Sequence, residues 1–228
     1  MTHGRLLAAL GVVVSCALAV AAVPSPTAPS TTVRARRPCA TAIALRDRVP
    51  AEQMLGTKLF TVPLLLGAYD SWHYLEATDV DDGRAGLAAA LAEARAANDG
   101  EACTVDLFFL AHGDDFVSWV ETMPTDQVPP LRLVYDTGAG DASQGPRWLA
   151  LGARSFVGHP ASNVAPVFYA YFLPAWLRGA PLGDVVTDAN GSTFATIMAA
   201  RPYLGDDTGP LWRGTRAQLF GDAATRKR

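Results

Sequence analysis

Cysteine is scarce in this chain, and none follows Cys103. Whatever happens C-terminal of that position happens without a thiol, for catalysis or for metal binding. A cationic excess is also missing. The chain carries 19 Lys and Arg against 22 Asp and Glu, a formal charge of −3. That balance gives no reason to expect nucleic acid as a partner. No internal repeat is visible, and long apolar runs are absent except near the start, from Leu6 to Val23. What remains is a chain of 228 residues, half of them apolar, which is enough to fill the core of one sizeable domain.

The single apolar run sets the expected compartment. Met1-Thr2-His3-Gly4-Arg5 places one cation ahead of it, and Pro24-Ser25-Pro26 follows. This is the pattern of a signal, assigned to residues 1–22; a retained membrane anchor is the alternative. Val13-Val14-Ser15-Cys16 resembles a bacterial lipobox, which makes Cys16 a lipidation candidate, while Ala19-Val20-Ala21 suits ordinary signal peptidase. Both routes stay open. Export is the expectation, whether to the periplasm, to the cell envelope as a lipoprotein, or to the medium. Membrane contact is then expected only through a lipid anchor or an uncleaved signal. Residues 23–38, rich in Pro, Ser and Thr, read as a flexible linker. In an exported protein the remaining pair, Cys39 and Cys103, suggests one disulfide, with two buried thiols as the other reading.

The folded part is expected over residues 39–222, with a frayed basic tail at 223–228. Thr41–Leu45 and Leu59–Leu66 read as strands, the second weakened by Pro63. A short helix is expected between them, and Ala68–Asp82 reads as a loop containing His73. Arg84–Asn98 is the clearest helix: it is alanine-rich, Leu87 and Leu91 share a face, and Gly100 follows as a stop. Thr104–Ala111 is an apolar strand stopping at His112-Gly113-Asp114-Asp115. Leu131–Tyr135 is another, stopping at Asp136-Thr137-Gly138-Ala139-Gly140. Short apolar runs ending in Gly and Asp are typical of buried parallel strands. In open α/β sheets the chemistry lies just past the carboxyl ends of such strands. His112 and the 136–140 loop should therefore lie side by side.

Asp141-Ala142-Ser143 reads as the cap of a helix over Pro146–Leu151, and 152–158 as a short strand. The aromatic stretch Val167–Leu177 reads as a helix buried on one face, its rings packing the core. Leu182–Ala189 and Ser192–Ala200 read as two further helices, and Leu211–Phe220 as a last strand. The fold expected is α/β, a three-layer sandwich on a mostly parallel sheet.

The order of these motifs resembles the caspase-like superfamily of cysteine peptidases, which includes clostripain, gingipains and CHAT domains. Leu107-Phe108-Phe109-Leu110-Ala111-His112-Gly113 is similar to the strand that ends in the catalytic histidine. Leu133-Val134-Tyr135-Asp136-Thr137-Gly138 is similar to the strand that ends in the nucleophilic cysteine. Leu149–Gly158, Trp176–Leu182 and Leu219–Asp222 match further segments of bacterial members. The resemblance implies a caspase-like fold in which His112 keeps the dyad position and Gly138 replaces the nucleophile.

Glycine has no side chain to attack with, so the thiolate mechanism does not follow. Cys103 cannot stand in, because about nine strand residues at ~3.3 Å each separate it from His112. The expectation is a non-catalytic pseudo-peptidase holding a peptide or protein partner in the former cleft. Gly113, Asp114, Asp136, Thr137 and Gly140 are its candidate ligand-binding residues, with no cofactor and no metal. The glycine loop offers amides for an anion, and the acids favour a basic side chain. The alternative is a hydrolase using Thr137 or Ser143 as nucleophile, or a metal held by His112, Asp114 and Asp136, with Asp115 and His159 nearby.

Overall fold

The computed structural model describes residues 39–47, 51–97, 103–111, 115–161 and 164–227. Among them, six strands form one sheet in the order β2-β1-β3-β4-β5-β6. The strands are β1 (Ala40–Asp47), β2 (Ser71–Ala77), β3 (Thr104–Phe109), β4 (Leu131–Ala139), β5 (Ser155–His159) and β6 (Gln218–Gly221). The first five are parallel, and β6 runs antiparallel to β5.

The helices are α1 (Ala51–Ala68), α2 (Val80–Ala96), α3 (Phe116–Glu121), α4 (Gly145–Ala150), α5 (Ala165–Leu177), α6 (Leu182–Ala199), α7 (Arg201–Leu204) and α8 (Thr208–Thr215). Alternation along the strands divides the core in two. Ala42, Ala44, Phe108, Leu133 and Tyr135 pack under α1, α5 and α6. Ile43, Leu45, Leu107, Phe109 and Val134 pack under α2, α3 and α4. The molecule is thus an α/β three-layer sandwich, as the sequence suggested.

Several local expectations are corrected. Residues 59–66 belong to helix α1 and not to a strand. Thr61 and Leu65 face the sheet while Leu55, Leu59 and Leu66 stay exposed, so apolar side chains on both sides hide the helical period. The segment read as a loop holds β2, an edge strand with half-buried Trp72, His73, Tyr74 and Leu75. The two helices expected over 182–200 are one, α6, running through Gly191. The expected last strand is helix α8 followed by β6. Asp141–Gln144 forms a 3-10 turn, and Ser143 Oγ donates to the Gly140 carbonyl rather than capping α4.

The tail is docked, not frayed. Leu182 N–H donates to the Thr225 carbonyl, Arg226 Nη1 to the Gly179 carbonyl and Lys227 Nζ to the Ala68 carbonyl. Cys39 and Cys103 form a disulfide with Cα atoms 4.6 Å apart, joining the starts of β1 and β3. The aromatic helix packs as expected: Phe168, Tyr169, Phe172 and Trp176 are buried, and Phe172 stacks on Tyr135 at 4.8 Å between ring centroids. Among the described residues no helix is long and apolar enough to cross a membrane.

Candidate functional site

From β1 the chain crosses through α1 to β2 on one side. Through α2 it then returns to β3 on the other side of β1. The strand order therefore reverses between β1 and β3, and in open α/β sheets ligands bind outside the carboxyl ends of the strands at such a switch point. The β1 end carries Arg46 and Asp47; the β3 end carries Leu110 and Ala111. Leu110 N–H donates to the Leu45 carbonyl at 2.8 Å, which carries the pairing past the end of β3.

On the other flank β4 continues beyond Tyr135 to Ala139, so the expected 136–140 loop is mostly strand. It is an irregular strand. Tyr135 pairs with Val157 and Ala139 with His159, so four steps along β4 match two along β5. Residues 136–138 are bulged, and bulges of this kind collect at sites where a strand must re-aim its side chains.

Thr137 ties the bulge to β3. Its Oγ1 accepts from Ala111 N–H at 3.0 Å and lies 3.1 Å from the Phe109 carbonyl and 3.0 Å from that of Ala111. Ala111 is thereby held between β1 and β4, one residue before His112. His112, Gly113 and Asp114 themselves lie outside the described residues, as does Cys16. Asp136 is fully buried, and its Oδ1 accepts from Gly138 N–H at 2.9 Å. Gly138 is buried within the bulge. Gly140 sits at φ +91°, a conformation that glycine adopts without steric cost, and its N–H donates to the His159 carbonyl. The amides of Gly138 and Gly140 are therefore committed inside the protein rather than open to an anion.

His159 plays a packing role. It is fully buried, with Nδ1 2.7 Å from the Thr215 carbonyl and Nε2 3.3 Å from the Tyr135 hydroxyl. A carbonyl only accepts, so Nδ1 carries the proton and Nε2 accepts from Tyr135. Burial lowers its pKa to about 4, against a smaller upward pull from the Thr215 carbonyl. At the rim, Arg147 of α4 bonds Asp115 at 2.8 Å and also Glu121 of α3. Among the described residues no group of three or more His, Cys, Asp and Glu side chains is placed to hold a metal.

One residue at the crevice escaped the sequence reading. Arg46 is 1% exposed, and its Nε, Nη1 and Nη2 all lack a hydrogen-bond partner among the described residues. Burial lowers its pKa, partly offset by the nearby Tyr74 hydroxyl and Glu76. Tyr74 Oη is likewise buried without a hydrogen-bond partner among the described residues. A charged residue closing the apolar run Thr41–Leu45 was the available signal. No family model, curated protein or solved structure matches this chain.

Proposed function

We propose that the chain is an exported, caspase-like pseudo-peptidase that binds a peptide or protein partner at the carboxyl edge of its sheet without cleaving it. The observation that carries this reading is Gly138, a buried glycine in the β4 bulge, on the strand beside the one that leads to His112. Two neighbouring strand ends of a cysteine-peptidase dyad are retained in order, and the position that would attack is bare backbone. The Cys39–Cys103 disulfide supports export, since such bonds persist in oxidising compartments. The Thr137 hydroxyl is engaged by Ala111 N–H and faces two carbonyls, which disfavours it as an alternative nucleophile.

The test installs what is missing. Gly138→Cys should gain reactivity toward iodoacetamide at neutral pH, and adding His112→Ala should lower that rate by about a hundredfold or more, the lower end of general-base contributions. The native chain should give no turnover of an internally quenched peptide library. An inert, His112-independent thiol would refute the kinship. Turnover by the native chain that vanishes in Thr137→Ala would refute the non-catalytic reading.

A further inference from the structure

Among the described residues the sheet ends at β6, whose outer edge has no neighbouring strand. Alternate residues of an edge strand turn their N–H and C=O groups away from the sheet, ready to pair with another extended chain. Beside this edge runs an open groove whose walls include Val186 and Asn190 of α6, Trp212 and Arg213 of α8, Arg216, and Leu219 of β6. Asn190 already occupies the outward groups of Ala217, its amide bonding both the N–H and the carbonyl at 2.9 and 3.0 Å, so the outward groups left for pairing are those of Leu219 and Gly221. The strand therefore enters the groove in a set position.

The charge of the groove is one-sided. Arg213 and Arg216 are both exposed, and neither pairs with a carboxylate among the described residues. Trp212 is half-buried, with the Phe194 ring 5.1 Å away, giving an apolar wall next to the two cations. Backbone pairing supplies affinity in strand addition, and pockets for alternate side chains supply selection.

We propose that this groove is a second binding site, which takes an extended acidic segment of a partner protein as an added strand on β6. Its acids pair with Arg213 and Arg216, and its alternate apolar side chains pack on Trp212 and Leu219. A second copy of the chain fits less well, because strand-to-strand pairing about a two-fold axis would bring four unpaired arginines together. The proposal does not depend on the reading of the β3–β4 edge.

The probe is a fluorescein-labelled, eight-residue peptide alternating Glu and Val, titrated with the purified chain at low salt and followed by anisotropy. Saturable binding is expected. It should weaken as salt is raised and weaken by more than about tenfold in Arg213→Glu/Arg216→Glu. It should disappear when alternate peptide amides are N-methylated. Both arginines are exposed, so an unchanged melting temperature serves as the folding control. The site is refuted if a Lys–Val peptide binds equally well, if the double variant binds as the native chain does, or if N-methylation has no effect. It is also refuted if sedimentation shows the groove closed by self-association that the peptide does not disturb.

Discussion

His159 gives the molecule a defined acid sensitivity. Its folded pKa, about 4, lies below the ordinary 6.5 because burial opposes the charged ring. Between those two values the unfolded chain binds the proton and the folded chain does not. Stability is therefore complete above about pH 6.5 and is lost as pH falls toward 4, by about 3 kcal/mol in all. His159→Gln keeps a donor for Thr215 and an acceptor for Tyr135, so it should flatten the acid limb of urea-melt stability plotted against pH. Arg46 works in the opposite sense. A buried guanidinium without hydrogen bonds among the described residues costs free energy, so Arg46→Met should raise unfolding stability by ~1–3 kcal/mol. If the variant also loses partner binding, the cost is tied to function. No change in stability in chemical denaturation would mean that the cation is already compensated. Neither residue could be weighed from sequence, because burial and missing partners are properties of the assembled fold.

At the scale of elements, the disulfide is the clearest case for measurement. It closes a loop with a sequence separation of 64 residues between the starts of two adjacent strands. The chain-entropy model gives about 4 kcal/mol for such a closure. Cys39→Ala/Cys103→Ala should lower unfolding stability by that order, and reductant should have no further effect on the variant. A loss below about 1 kcal/mol would mean that the unfolded chain is already compact there. The bond was legible because, once the N-terminal run is read as an export signal, the two cysteines that remain have few options. The identity of α1 was not. Its outward face carries Leu55, Leu59 and Leu66, so an apolar count over 59–66 looks like a buried strand. Pro63, exposed within it, reinforced the error, since proline is disfavoured in both interpretations. β2 was missed for the converse reason: an edge strand is half-wet, and its polar and aromatic residues mimic a loop.

At the scale of the molecule, a buried polar knot joins the layers at the amino edge of the sheet. Arg132 of β4 forks onto Asp106 of β3 at 2.8 and 2.7 Å, and the same carboxylate accepts from Tyr69 at 2.6 Å and from Trp176 of α5 at 3.0 Å. Burial raises the Tyr69 pKa, and the carboxylate raises it further. Asp106→Asn would leave Arg132, 7% exposed, without its counter-charge and should cost ~3–5 kcal/mol by urea denaturation. Asp106→Leu/Arg132→Met removes both charges and should recover most of that loss. The layer order and the adjacency of β3 and β4 were readable from strand-length apolar runs alternating with helical segments. The knot was not, because it joins side chains 107 positions apart or fewer only after the sheet has formed. The bulge after Tyr135 was invisible for the same reason: it exists only relative to β5.

The docking of the last residues has a practical corollary. Cys39 immediately precedes β1, and Lys227 lies against Ala68, where α1 hands over to β2. Both points sit at the pole of the domain remote from Arg46, Ala111 and the β4 bulge. A linker leaving Cys39 and a label added beyond Lys227 therefore emerge from the same hemisphere. A domain immobilised near Cys39 or near Lys227 would hold the carboxyl ends of its strands toward the solution, so biosensor surfaces built in either orientation should report the same affinities.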